Sequence, residues 1–381
     1  MNRLSGFRSH RTVRAHASGV LFAVASVWVM VLGIAGTGAG AAAADAVIRT
    51  VAVGDAPLGA AVTPDGSRLY VANVVGDSVS VIETAGNTVV DTIEVGNGPT
   101  FVAVDPDGSR VYVTNGSERT VSVIETIGNS VVDTIDVGEA PAGLAVTPDG
   151  SHVYVANLGD GTVSVIDTAA NAVVSAVPVG SLPQDVAVAP DGSGVYVTNI
   201  LDGTVSVIET VGNTLVKTIG VGDGPIGLTV TPDGSQVYVG NNNDGTVSVI
   251  ETIGNTVVGT VVAGAGPSGV AVTPDGSRAY VADNGDNAVS VIETAGNTVV
   301  ETIPVGNGPI FVAVTPDGSR AYVVNNEDDT VSVIAVETCS GSLCIATGSL
   351  AGGGSVVGGG STGSGGTGSL AGVGSTGSAS G

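Results

Sequence analysis

Lysine is almost missing from this sequence of 381 residues: Lys217 is the only one, and with the arginines it makes 11 basic residues against 35 acidic ones, a formal net charge of −24. So few cations cannot neutralise a row of phosphates, which argues against nucleic acid and anionic membrane surfaces as partners. Aromatic residues make up 3% of the chain, and its single tryptophan, Trp28, lies in the N-terminal segment. If that segment is removed, no indole remains to stack on a sugar. With 3 histidines and 2 cysteines, clustered Cys/His metal ligands are excluded. No P-loop, dinucleotide fingerprint or G-x-S-x-G elbow occurs either.

What the sequence has in abundance is repetition. A block of V-G-x-x-P, x-x-D-G, Y-V-x-N and V-S-V-I recurs with Asp65, Asp107, Asp149, Asp191, Asp233, Asp275 and Asp317 each 42 residues after the last. All 7 tyrosines, from Tyr70 to Tyr322, fall in one slot of that repeat. A fixed period of this length, rich in short β-runs, predicts an all-β, seven-bladed β-propeller with one four-stranded antiparallel blade per repeat. In the second repeat the expected strands are Phe101–Val104, Arg110–Thr114, Val121–Glu125 and Val131–Val137. Pro-Asp-Gly and Gly-Asn provide turns between them, because proline presets φ and Gly or Asn tolerates positive φ. Apolar residues on both phases of the middle strands imply sheets covered on both faces. Tyrosine at the start of the second strand then belongs to the packing between blades rather than to a ligand-stacking ladder.

The seventh repeat lacks a fourth strand, whereas Ala46–Val53 precedes the first repeat 42 residues before the fourth-strand stretch Thr88–Val95. The N-terminal strand is therefore expected to complete the last blade and remove its open edge.

Residues outside this array have other signatures. Residues 1–44 combine Arg3, Arg8, Arg11 and Arg14, an apolar run from Val20 to Ile34, and Ala42-Ala43-Ala44. That order predicts a secretory signal peptide cleaved before Asp45, with an uncleaved membrane anchor as the alternative. The expected propeller domain is 45–338, and 339–381 is read as a Gly/Ser-rich disordered tail. Cys339 and Cys344 can form a small disulfide loop in an exported protein. The expectations are a secreted, cell-surface or cell-envelope location, a monomer, and no stable membrane insertion once the signal is cleaved.

Chemistry-bearing residues are scarce. His152 occupies a turn slot held by arginine in four other repeats, with no partner for base catalysis beside it. Carboxylates remain. The loops between second and third strands open on one face with the loops between blades, and they carry Asp160, Asp202, Asp244, Asp286 and Asp328 against Arg119 as the single base. This rim could take a hard cation such as Ca²⁺, or simply keep the protein soluble; no other cofactor is indicated. Asp185 is the most individual position, because its equivalents are Gly59, Phe101, Gly143, Gly227, Gly269 and Phe311. It is placed near the axial channel and joins the acidic loop residues as a candidate ligand-face residue.

The second strands read Tyr112-Val113-Thr114-Asn115 and Tyr196-Val197-Thr198-Asn199, with Tyr-Val-Ala-Asn at 70–73 and 154–157. The array from Ala46 to Ala335 resembles the YVTN-repeat (YncE-like) β-propellers of bacteria and archaea. That resemblance implies an exported seven-bladed propeller, and it leaves function open because propellers host lactonases, lyases, haem enzymes and binding modules. The reading carried forward is a binding or surface-interaction module for an unknown protein or cell-envelope ligand, with no evident catalytic site. The alternative is a lactonase-like or other hydrolytic enzyme at the channel mouth.

Overall fold

A computed structural model describes residues 44–340 and 343–345, with side chains through Glu337. Residues 1–43, where a signal peptide is expected, and nearly all of the expected tail lie outside the described residues. Seven four-stranded antiparallel sheets follow one another around a closed ring. The first comprises Pro57–Val62, Arg68–Asn73, Ser78–Glu83 and Thr88–Glu94, ordered from the axis outward. The expected strands of the second blade recur as Pro99–Val104, Arg110–Asn115, Thr120–Glu125 and Ser130–Asp136. No helix occurs among the described residues.

The hydrophobic core is a set of layers between blades, not one central body. Tyr70 packs with Val79, Val81 and Ile93 of its own blade against Val102, Val111 and Ile124 of the next, and this arrangement recurs around the ring. Each tyrosine ring is buried, as a core role requires. In every blade but the second, where the Tyr112 hydroxyl has no partner, its hydroxyl reaches the next blade: Tyr70 donates to Asn129 Oδ1 at 3.0 Å and Tyr322 to Asn87 Oδ1 at 2.8 Å. Those asparagines sit in the turn before the outer strand with φ near 50°. The left-handed conformation favours Asn there, so one residue both shapes the turn and accepts the tyrosine proton.

The ring closes as the sequence predicts. Ala46–Ala52 pairs antiparallel with Thr330–Ala335, the third strand of blade 7, and makes a four-stranded sheet with Arg320–Asn325 and Pro309–Val314. Val51 then joins Ala60, Leu69 and Tyr322 in the layer between blades 7 and 1. Asp45 adds a lock that pattern reading did not reach. It occupies the slot of Asn87 one repeat earlier, and its carboxylate takes two hydrogen bonds from Arg278 Nη1, at 3.1 and 3.0 Å, and one from Tyr280 Oη at 2.5 Å. Beyond the ring, Thr338–Ser340 and Leu343–Ile345 form a two-stranded pair with Cys339 opposite Cys344.

Candidate functional site

The innermost strand of each blade carries a β-bulge. In blade 4 the strand Pro183–Val188 pairs Pro183 with Asn199 and Val186 with Val197, so Gln184 and Asp185 together face Thr198. A bulge re-aims the extra side chain, and here it turns the bulge residue toward the next blade at the crowded axis. Four blades answer that crowding with glycine. A Cβ on Gly143 would lie 2.6 Å from the Cα of Asp185, and one on Gly227 would lie 2.4 Å from the carbonyl oxygen of Ser268. The other three blades place Phe101, Asp185 and Phe311 in the same slot. Phe101 and Phe311 flank blade 1 and meet edge to face, with ring centroids 5.8 Å apart. An aromatic contact therefore fills the axis beside Gly59, and by ring order Asp185 lies across from it.

Asp185 is the sequence candidate that the structure changes most. It is a buried carboxylate with 7% of its surface exposed, not a member of an open acidic face. Its Oδ1 accepts from the backbone N–H of Val186 at 2.9 Å, and its Oδ2 from that of Leu228 on the next blade at 3.1 Å. Leu228 belongs to an innermost strand, whose inward edge has no neighbouring strand to pair with; the carboxylate satisfies one of its N–H groups. Thr198 completes the arrangement, accepting from the Asp185 N–H at 3.0 Å and donating to Ile226 O at 2.7 Å. Phe101 and Thr114 repeat this pattern in blade 2, which gives the threonine of Y-V-T-N a structural task. Burial pushes the Asp185 carboxyl up to about 7, against the two backbone donors that favour its ionised form.

The five loop carboxylates occupy equivalent places in blades 3 to 7 but do not converge on one point. Each caps the loop that enters its own blade. Asp160 accepts from Glu139 N at 2.6 Å, Asp202 from Ser181 N at 2.7 Å, Asp244 from Asp223 N at 2.6 Å and Asp286 from Ala265 N at 2.7 Å. Asp328 takes both the backbone and side-chain N–H groups of Asn307, which hold its carboxyl below the usual range. Arg119, the base of that face, is already paired with Glu139 at 2.7 Å. Among the described residues, no three acidic, histidine or cysteine side chains are arranged to hold a metal ion.

Asp283 is a further carboxylate outside the loops: it stands in the second strand of blade 6, fully buried, in the slot that other blades give to asparagine. The exchange is coupled to another. Asn157 donates from Nδ2 to Thr162 and Ser164, whereas blade 6 has Ala288 in the threonine slot, and Ser290 donates to Asp283 at 2.6 Å. Burial pushes Asp283 up to about 6. Comparing repeats position by position would have revealed this exchange; counting carboxylates by loop could not. His152, expected in a turn, opens the second strand of blade 3 opposite Asp167, with Nδ1 2.8 Å from Ser151 Oγ.

These features define a seven-bladed β-propeller whose irregularities are confined to a few slots of a uniform repeat. Residues 21–149 match the profile of the family described as YNCE-like beta-propeller, and residues 250–357 that of Lactonase, 7-bladed beta-propeller. The chain is a seven-bladed β-propeller that is similar to YNCE-like propellers over residues 21–149. A chain of Kuenenia stuttgartiensis Hydrazine Synthase is similar to it in structure, with a TM-score of 0.69 and 25% identity over 74% of this chain and 96% of that one. No curated protein sequence matches it. Solved structures that match number 1702 chains, so the fold by itself selects no activity.

Proposed function

We propose that this propeller is an exported binding module that engages a basic protein or cell-envelope partner through its acidic loop face. The observation that supports this reading is the repeated carboxylate at Asp160, Asp202, Asp244 and Asp286, each oriented by one backbone N–H, on a face whose base Arg119 is already neutralised by Glu139. A fixed array of one sign steers oppositely charged partners and sets their orientation. Replacing these four aspartates by asparagine keeps an acceptor for every backbone N–H and removes four charges. Binding of cell-envelope extract to the immobilised protein is expected to weaken by ~10-fold or more in that variant, and to weaken with salt in the wild type. Equal, salt-insensitive binding by both proteins would rule the acidic face out.

A hydrolytic reading rests on one specific observation, a carboxyl group pushed up to about 7 beside the axis, in a chain whose C-terminal blades match the lactonase propeller profile. Groups tuned to such values suit general acid–base work. If this reading is correct, turnover of a lactone panel is expected and is lost in Asp185→Asn; an inactive wild type retires it.

A further inference from the structure

Clefts open between neighbouring blades on the face opposite the acidic loops, and the one between blades 4 and 5 is the one where the residue that opens the second strand has no side chain: His152 and Gln236 hold that slot in blades 3 and 5, and Gly194 in blade 4. In blades 1, 2, 6 and 7 the second strand begins with arginine: Arg68, Arg110, Arg278 and Arg320. Arg68 donates from Nη1 to Thr126 O at 2.9 Å and lies 3.3 Å from Asn129 Oδ1. Arg110 repeats those contacts with Thr168 O at 3.0 Å and Asn171 Oδ1 at 3.4 Å. Each socket therefore consists of a main-chain carbonyl and an asparagine oxygen on the next blade. A glutamate, Glu83 or Glu125, stands opposite the arginine on the neighbouring strand.

Blade 4 retains the socket and lacks the arginine. Gly194 takes that slot and pairs with Glu209, and the corresponding acceptors, Thr252 and Asn255, line the cleft together with Asp191 and Asp233. The cleft has a volume of about 750 Å³. Its size is not the distinction, since the cleft beside Arg278 measures about 740 Å³. The distinction is chemical: a set of acceptors complementary to a guanidinium, with three carboxylates around it and no arginine in the slot, while Lys217 of the outer strand is held at Gly254 O at 2.8 Å. The tyrosine at its base also gains access, with Tyr196 4% exposed where Tyr70, Tyr112 and Tyr238 are fully buried.

We propose that the cleft between blades 4 and 5 is a binding site for a guanidinium group, specifically the arginine side chain of a partner protein. The inference does not depend on the acidic loop face, which lies at the other end of the ring. Planar, forked N–H donors match paired oxygen acceptors in a way that an ammonium does not, so arginine is preferred to lysine. Glu209 supplies the charge that neutralises the incoming group.

Isothermal titration of the full chain with acetyl-Gly-Arg-Gly-amide, its lysine and citrulline counterparts and free L-arginine tests the assignment. The arginine peptide is expected to bind at least ~10-fold more tightly than each of the others, and Glu209→Gln to weaken it by ~10-fold. Gly194→Arg fills the socket from within and is expected to abolish binding. Gly194→Ala is expected to retain it, because an added Cβ has its nearest neighbour, Ile208 O, at 3.9 Å. Citrulline or lysine binding as tightly as arginine, or binding that survives both Gly194→Arg and Glu209→Gln, overturns the site. L-arginine binding as tightly as the peptide overturns the assignment to a protein partner.

Discussion

Between pH 4 and pH 7 the wild-type protein is expected to lose stability relative to Asp185→Gly by up to ~4 kcal/mol, at ~1.4 kcal/mol per pH unit. The sign follows from proton binding. The unfolded chain releases the Asp185 proton near the ordinary value of 3.8, while the folded protein holds it until about 7. Over that interval the native state binds more protons, so raising the pH favours unfolding; below 3.8 and above 7 the contribution is constant. Asp283, pushed up to about 6, acts in the same direction. It is present in both proteins and cancels in the difference between them. Glycine is the informative replacement because four sister blades carry it at this bulge. Asparagine is not its equal: one backbone N–H, of Val186 or Leu228, would then face an amide N–H in place of an oxygen. Urea denaturation at a series of pH values measures the difference curve. A flat curve would show that Asp185 ionises normally inside the ring, and both its buried placement and any acid–base role would fall with that result.

Most of the architecture was legible because a propeller is specified by a short pattern written many times. The turn chemistry of Pro-Asp-Gly and Gly-Asn, the doubly covered middle strands and the displaced strand at Ala46 each depend on residues within one repeat. The bulges were not legible. They arise where neighbouring blades converge, and glycine at position 59, 143, 227 or 269 looks in sequence like simple economy of volume. In space it is demanded by the backbone of the next blade. For the same reason Asp185 was identifiable as an odd residue but not as a buried one: its partner, the Leu228 N–H, lies 43 residues away on another sheet.

The acidic face shows the opposite limit. Topology placed Asp160, Asp202, Asp244 and Asp286 correctly on equivalent loops, but their first task, capping the loop that enters each blade, depends on a contact 21 residues upstream. A repeat protein can hide structural duties in this way because the same contact is made many times and leaves no irregularity to notice. Irregularities therefore carry more information than abundance. Blade 4 holds several at once: Asp185 at the bulge, Ala189 where five blades have threonine, Gly194 in the arginine slot, and Lys217 on the outer strand. Both the buried acid and the open guanidinium socket fall in that blade.

Asp45→Ala is expected to destabilise the ring by ~3–5 kcal/mol, whereas Asp45→Asn is expected to cost much less. The contrast follows from what the repeat places at this position. Six blades supply an asparagine, from Asn87 to Asn297, and blade 7 alone draws the equivalent residue from the N-terminal strand. Asn129 satisfies Tyr70 and lies beside Arg68, so the amide introduced by Asp45→Asn would keep an acceptor for Tyr280 and Arg278. Alanine keeps neither, and it also abandons the Glu337 N–H that Asp45 meets at 2.7 Å. With the Asp45 side chain fully buried and that of Arg278 27% exposed, a lost partner leaves a largely desolvated guanidinium. The effect should also differ in kind from core truncation. Ala46–Ala52 is held to blade 7 by one strand pairing, so weakening the contact at its start frees an edge of Thr330–Ala335 before any blade unfolds. Hydrogen exchange is therefore expected to rise first in those two strands of Asp45→Ala, with urea denaturation giving the total loss. Uniform exchange across all blades would mean that the ring opens as one unit, and that Asp45 is one buried polar contact among many instead of the clasp.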